Sequence, residues 1–236
     1  MIQDIAPHKL NNQYDPLAVP KREDFVLFFD GGRLLMKVGE STELLRVKDF
    51  PEDCAFTYLF SLDDDRFFLI REENGIPEGC AFTDVRTLRG ASSLPREILY
   101  AIFTGKHLSD WYRDTHFCGR CGRAMTHSTK ERAMKCTCGY TAYPRIMPAV
   151  IVGVKNGDSI LLTKYRTGFN HNALIAGFTE IGETAEETVA REVMEEAGVR
   201  LSPTTRLSPG ESRAICSSVT TAIWTATPVS PWTKAS

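Results

Sequence analysis

Three glutamates, Glu192, Glu195 and Glu196, stand at i, i+3 and i+4, a spacing that a helix gathers on one face. Like charges that close repel, so the grouping costs free energy unless a cation takes up the charge. Carboxylate oxygens suit Mg2+ or Mn2+. The glutamates sit inside a longer pattern that runs from Gly177 through Glu183, Arg191 and Gly198 to Val199 and reads G-x5-E-x7-R-E-U-x-E-E-x-G-U, with U aliphatic. With ordinary residue frequencies such a match arises by chance on the order of 10⁻⁹ times per start point. The plain alternative is a solvated acidic helix, and every fixed position being filled argues against it.

The elements that must position these residues are legible around them. Val189, Val193 and Ala197 recur at spacing four, which predicts a buried stripe on another face of the helix. Glu187 and Arg191 are spaced to pair. Gly177 and Gly182 are expected to break the preceding strand into a loop, and Gly198 to end the helix as a left-handed cap.

A second group could hold metal. Cys118 and Cys121 are followed, after fourteen intervening residues, by Cys136 and Cys138. Two close cysteine pairs predict a zinc ribbon with four thiolate ligands. The second pair has one residue between its cysteines where ribbons usually have two. Reduced thiols in a collapsed loop are the alternative. Arg120, Arg123, Lys130 and Arg132 make the ribbon mildly basic, too sparsely to argue for nucleic acid. Cys54 and Cys80 read as core thiols.

The 236 residues carry 42% apolar and 25% charged side chains and a net charge of −2. That balance suits an ordinary globular chain and excludes a general affinity for polyanions. No signal-peptide pattern and no apolar run of spanning length is found. With clustered metal-type cysteines, this leads to an expectation of a reducing cytoplasm.

Residues 1–20 read as a loosely held arm. Residues 21–113 read as an α+β domain: strands over 25–29 and 33–37, a second pair over 55–60 and 66–70, in a mostly antiparallel arrangement, then a helix over 95–111. The ribbon occupies 114–142. Residues 142–148 form a Pro-containing connector into strands over 149–154 and 159–163. Residues 143–199 complete the motif domain.

The glutamate pattern resembles the signature of the Nudix hydrolases. The order of antiparallel domain, ribbon, Tyr143-Pro-Arg-Ile-Met-Pro148 and Ala176-Gly-Phe178 before the loop resembles the NADH pyrophosphatase subfamily, over residues 20–199. The resemblance implies a Nudix α-β-α sandwich, here C-terminally incomplete, behind a ribbon and a small, mostly antiparallel β domain. It implies cleavage of NADH or NAD+ to nicotinamide mononucleotide and AMP, and removal of NAD caps from RNA. By it, Glu192, Glu195, Glu196 and the carbonyl of Ala176 hold Mg2+ or Mn2+, and Glu196 activates water. Glu183 supports the loop or a further metal. Phe178 and Tyr143 line the nicotinamide pocket, and Arg86 and Glu131 touch substrate, unless these two are plain surface charges. A zinc-ribbon nucleic-acid or protein-binding module with a vestigial Nudix loop is the competing reading.

After Val199 the character changes. Residues 200–236 hold 18 Ser, Thr or Pro and one acidic residue, Glu211. No strand of useful length is expected there, and the subfamily's Gln-Pro-Trp segment and later metal-binding Glu have no counterparts. Residues 203–212 can be encoded CCT ACT ACA AGG CTC AGC CCT GGG GAA TCC. Skipping two bases gives Tyr-Tyr-Lys-Ala-Gln-Pro-Trp-Gly-Ile. Codons for 214–225 can likewise hide Met-Leu-Phe-Gly-Tyr-Tyr-Cys-Asp-Leu-Asp. The tail is thus either out of frame or diverged and disordered. Reading the nucleotides around codons 200–206 decides. The family's homodimer, and full activity, are in question with such a tail.

Overall fold

The structure is a computed structural model. It describes residues 4–39, 43–71, 75–89, 94–164, 167, 171–201, 209–210 and 221–226, the last two stretches as backbone only. Contacts divide the chain into a unit over residues 2–145 and another over 146–236.

The N-terminal unit is built on one sheet. Its strands are β1 (Leu10–Asn11), β2 (Phe25–Asp30), β3 (Arg33–Lys37), β4 (Leu45–Arg46), β5 (Phe56–Leu62), β6 (Asp65–Ile70) and β7 (Cys80–Asp84). Their order is β1-β5-β6-β2-β3-β7, with β4 beside β2. The expected strand pairs form, but the two hairpins join through a parallel contact, β2 against β6, with Phe28 opposite Ile70. The sheet is thus mostly antiparallel, with this one parallel contact among its described strands. Alternation along β2 explains the burial. Leu27 faces one core, with Leu34, Phe60 and Tyr112, while Val26 and Phe28 face another, with Leu35, Leu45 and Phe50. A strand covered on both faces reads as a continuous apolar run.

A short helix, α1 (Val85–Leu88), precedes α2 (Arg96–Asp114). The expected helix over 95–111 thus runs one turn further. Its buried positions Ala101, Ile102, Leu108, Trp111 and Tyr112 pack on the sheet. Gly105 allows close approach, because a side chain there would overlap Leu27 Cδ1. Residues 4–14 are fixed rather than loose. Ile5 is buried, β1 pairs with Ser61 and Leu62 of β5, and the Tyr14 hydroxyl donates to the Ser128 carbonyl at 2.7 Å.

Three short antiparallel strands follow, β8 (Thr126–His127), β9 (Met134–Lys135) and β10 (Thr141–Ala142). Met134 and Cys136 belong to the same core as Leu27 and Tyr112.

The C-terminal unit centres on β11 (Ala149–Asn156). The turn at residues 157–158 leads to β12 (Ser159–Ile160). The chain then leaves that edge, so Thr163 belongs to β13 (Thr163–Lys164), paired with β14 (Asn172–Ala173). β15 (Ile175–Phe178) lies antiparallel to β11, with Ile151 opposite Ala176. Helix α3 (Ala185–Ala197) covers the face carrying Val150, Val152, Val154 and Ile175 with Val189 and Val193.

Against expectation, a strand does form after residue 200. β17 (Thr221–Ala226) runs parallel to β11 from Ala149 to Val154, and β16 (Pro209–Gly210) pairs with it. Thr, Ile and Trp favour strands even where Ser and Thr dilute the hydrophobicity. Residues 203–208 and 211–220, which carry most of the proposed out-of-frame segment, lie outside the described residues. Among the described residues no helix is long and apolar enough to cross a membrane.

Candidate active site

Helix α3 starts where its sequence dictates. Thr184 is the N-cap; its hydroxyl accepts from the Glu187 amide at 3.2 Å, and the Glu187 carboxylate accepts from the Thr184 amide at 2.7 Å. This reciprocal capping box uses Glu187, which is why the expected Glu187–Arg191 pair is not made. Gly198, at φ 65°, ends the helix in the left-handed region as expected.

Arg191 instead ties the loop to the helix. Its Nε donates to Glu183 Oε1 at 2.6 Å, and its Nη2 donates to Glu183 Oε2 at 2.9 Å and to the Phe178 carbonyl at 2.8 Å. Its Nη1 donates to Glu192 at 2.8 Å and to Glu195 at 3.3 Å. One planar fork thereby binds the strand end, the loop and the helix. Glu183 also accepts from the Glu180 amide at 3.0 Å and the Thr188 hydroxyl at 3.1 Å. The Arg191 guanidinium, then the Glu180 amide, hold the Glu183 carboxyl down to about 2. The Arg191 guanidinium is raised above its usual range, first by Glu183 and then by Glu192.

Gly177 does not break the strand. It lies within β15 and faces the same way as buried Ile175, toward α3. A Cβ there would overlap the Glu192 carboxylate. The glycine is thus a cradle for a carboxylate, which its sequence position alone did not reveal. Gly182 does make a turn, at φ 95°. Glu192 is buried, while Glu195 is 60% exposed. Glu196 lies on the surface, and partial desolvation, then the charge of Glu192, push its carboxyl above the usual range. The three share the helical face expected of them. Their oxygens are not drawn into a closed set, because Arg191 engages Glu192 and Glu195. Oxygen donors of this kind suit a divalent cation, but among the described residues the three carboxylates do not converge as the four cysteines do.

The cysteines are more closely gathered. Ligand sulfurs of Cys118, Cys121, Cys136 and Cys138 all lie within 4.8 Å of one another. Cys118 to Cys138 is 3.7 Å and Cys121 to Cys136 is 3.5 Å. The one-residue knuckle therefore does not prevent convergence. The Cys138 amide holds the Cys136 thiol down to about 6. Four soft donors in this arrangement fit zinc.

The remaining expected residues divide between the units. Phe178 is 56% exposed in the C-terminal unit. Tyr143, 54% exposed, belongs to the N-terminal unit and donates through its hydroxyl to Glu131 at 3.3 Å. Arg86 pairs with Asp84, the cap of α1, at 3.0 Å and is 88% exposed. Cys54 and Cys80 are partly buried against the core of Val26 and Phe50, and burial raises both thiols.

Residues 145–222 match the NUDIX domain model. The chain is 41% identical over 122 residues to an NAD-capped RNA hydrolase NudC from Enterobacter sp. (strain 638), covering 50% of this chain and 46% of that protein. It is 38% identical over 150 residues to the NudC of Citrobacter koseri, covering 60% and 58%. It is 46% identical over 101 residues to that of Klebsiella pneumoniae, covering 41% and 38%. The chain thus spans about half the length of the curated relatives it matches. A solved NUDIX hydrolase from Nitrosomonas europaea is similar at 21% identity, over 49% of this chain and 68% of that one, with a TM-score of 0.39.

Proposed function

We propose that this chain, which carries a Nudix domain related to that of the NudC hydrolases, cleaves the diphosphate of NADH or NAD+ to nicotinamide mononucleotide and AMP, and does the same to NAD caps on RNA. One observation carries the reading. The Glu192 carboxylate sits in the hollow left by Gly177, with Glu195 and Glu196 on the next turn and Arg191 fixing the loop.

Glu192, Glu195, Glu196 and the carbonyl of Ala176 would hold Mg2+ or Mn2+, and Cys118, Cys121, Cys136 and Cys138 a structural Zn2+. A bound divalent cation supplies neutralisation of the two diphosphate charges that otherwise repel an incoming oxygen nucleophile. Glu196 accepts a proton from the attacking water. The new bond joins the water oxygen to phosphorus, and the bridging oxygen leaves with the other mononucleotide. Arg191 keeps the loop and Glu192 in place and does not itself meet the reacting atoms. Phe178 and Tyr143 offer ring faces for stacking, and Glu131 and Arg86 polar contacts. Burial of Cys118 and Cys136 in the core of the N-terminal unit supports a structural ribbon over a nucleic-acid-binding one.

We expect slow turnover, since the subfamily's Gln-Pro-Trp segment has no counterpart among residues 200–236. Incubation with NADH and Mg2+ or Mn2+ should release AMP. Glu196→Gln should lower the rate about 10²–10⁴-fold. AMP release that survives this substitution defeats the assignment.

A further inference from the structure

The N-terminal arm and the cysteine ribbon meet at a partly buried guanidinium that the diphosphatase reading does not use, that of Arg132. Strand β1 pairs with β5 as far as Asn11 and Ser61. Two residues beyond that pairing β5 bulges: Tyr58 and Phe60 have partners on β6, and Leu59 between them has none. Such a bulge leaves backbone groups outside the ladder. Arg132 fills the gap. Its Nη2 donates to the Leu59 carbonyl and, at 3.4 Å, to the Asn12 carbonyl. The guanidinium lies over the Tyr14 ring, 5.5 Å from its centroid, and the Tyr14 hydroxyl donates to the Ser128 carbonyl at 2.7 Å. Residues 12–14 of the arm are thus gripped by one loop of the ribbon. Burial is what most lowers the Arg132 pKa, so this desolvated charge depends on the acceptors it finds there.

That loop is the tip of a hairpin. The Ser128 amide donates to the Ala133 carbonyl at 2.8 Å, and β8 meets β9 with His127 opposite Met134. Each strand is two residues long, and a hairpin so short does not hold its register alone. The cysteines stand at its open end. β9 runs directly into Cys136. β8 is preceded by Met125, whose amide donates at 2.9 Å to the carbonyl of His116, two residues before Cys118. The four sulfurs lie within 4.8 Å of one another. Whatever draws them together closes the hairpin at one end and sets the shape of the tip at the other.

We propose that the ribbon is a metal-controlled clasp for the N-terminal arm: Zn2+ on Cys118, Cys121, Cys136 and Cys138 fixes the hairpin tip that holds Asn12 and Tyr14. Linkage is reciprocal, so arm docking strengthens metal binding by the factor by which the metal strengthens docking. The inference rests on the reading of the ribbon as a zinc site and on nothing in the C-terminal unit.

Amide exchange of the full chain, zinc-loaded and then chelated, tests it, with zinc content measured first. Chelation should speed exchange over residues 10–14 about tenfold or more while β2 stays protected. Tyr14→Ala cuts the arm's side of the clasp. It should weaken Zn2+, measured by competition with a chromogenic chelator, about fivefold or more. Val26→Ala, a truncation in the separate core with Phe50, should leave zinc affinity unchanged. If chelation unfolds the whole unit, the zinc affinities of these two variants decide alone. Zinc affinity unchanged by Tyr14→Ala, or weakened equally by Val26→Ala, overturns the clasp. A chain that takes up no zinc overturns the ribbon assignment and the clasp with it. Full zinc uptake with arm exchange indifferent to chelation overturns the clasp alone.

Discussion

The two units use the same device for different ends. Each packs a helix on a sheet that contains a parallel strand pair, β2 with β6 in one and β11 with β17 in the other. In each, a glycine lets the helix and sheet approach where a Cβ would not fit. In the N-terminal unit the glycine is on the helix, Gly105, and the space goes to a methyl of Leu27. In the C-terminal unit it is on the strand, Gly177, and the space goes to a carboxylate, that of Glu192. The first closes an apolar core that runs on into the cysteine ribbon. The second sets a charged group against the sheet, where the Arg191 fork donates to it. Close packing thus admits an apolar side chain in one unit and a charged one in the other.

The contrast can be broken most directly at the two glycines. Gly177→Ala should displace Glu192 and reduce NADH hydrolysis about 100-fold or more, since small misplacements of a reacting constellation are costly. Gly105→Ala should leave hydrolysis within a few-fold while costing about 1–3 kcal/mol of stability by overpacking. Chemical denaturation and AMP release, measured on both variants, check the pair. Equal losses of activity would erase the distinction.

The ribbon sharpens the comparison next. Cys118 and Cys136 are buried in the N-terminal core, so Cys136→Ser should lower the melting midpoint of that unit by roughly 5–10 °C. Amide exchange resolved by unit should show β11 and α3 little changed. Equal loss of protection in both units contradicts the assignment of the ribbon to the first core.

The smallest effect concerns the arm. His8 is raised above 6.5, first by its hydrogen bond to Asp63, at 2.7 Å. A raised folded value means that the contact contributes fully below pH 6.5 and is lost as pH rises through the folded value. Titration followed by the His8 ring resonances should give a midpoint above 6.5 that returns to the ordinary value in Asp63→Asn. An unshifted His8 in the unaltered chain would remove this tether.

Local patterns carried much of this in the sequence. The valine stripe, the Gly198 cap, the shared face of three glutamates and the four-cysteine spacing are short-range features, fixed by helical geometry and ligand chemistry. Helix α2 and the strands from Phe25 to Ile70 were legible because their apolar runs are long. The role of Gly177 was not, because a glycine before a motif reads as a turn until its neighbour across space is known. Glu187 was misassigned because two local partners competed, and the Thr184 amide at the helix start won over Arg191. Strand β17 was hidden by its Ser/Thr-rich surroundings, and only register against β11 shows it.

By itself, then, the sequence determined which residues could bind cations, since donor type and helical spacing are properties of neighbours along the chain. Tertiary structure decided the parallel pairings, the hollow at Gly177 and the docking of the arm. Each depends on residues far apart in sequence meeting at van der Waals distance, and no local pattern encodes that meeting.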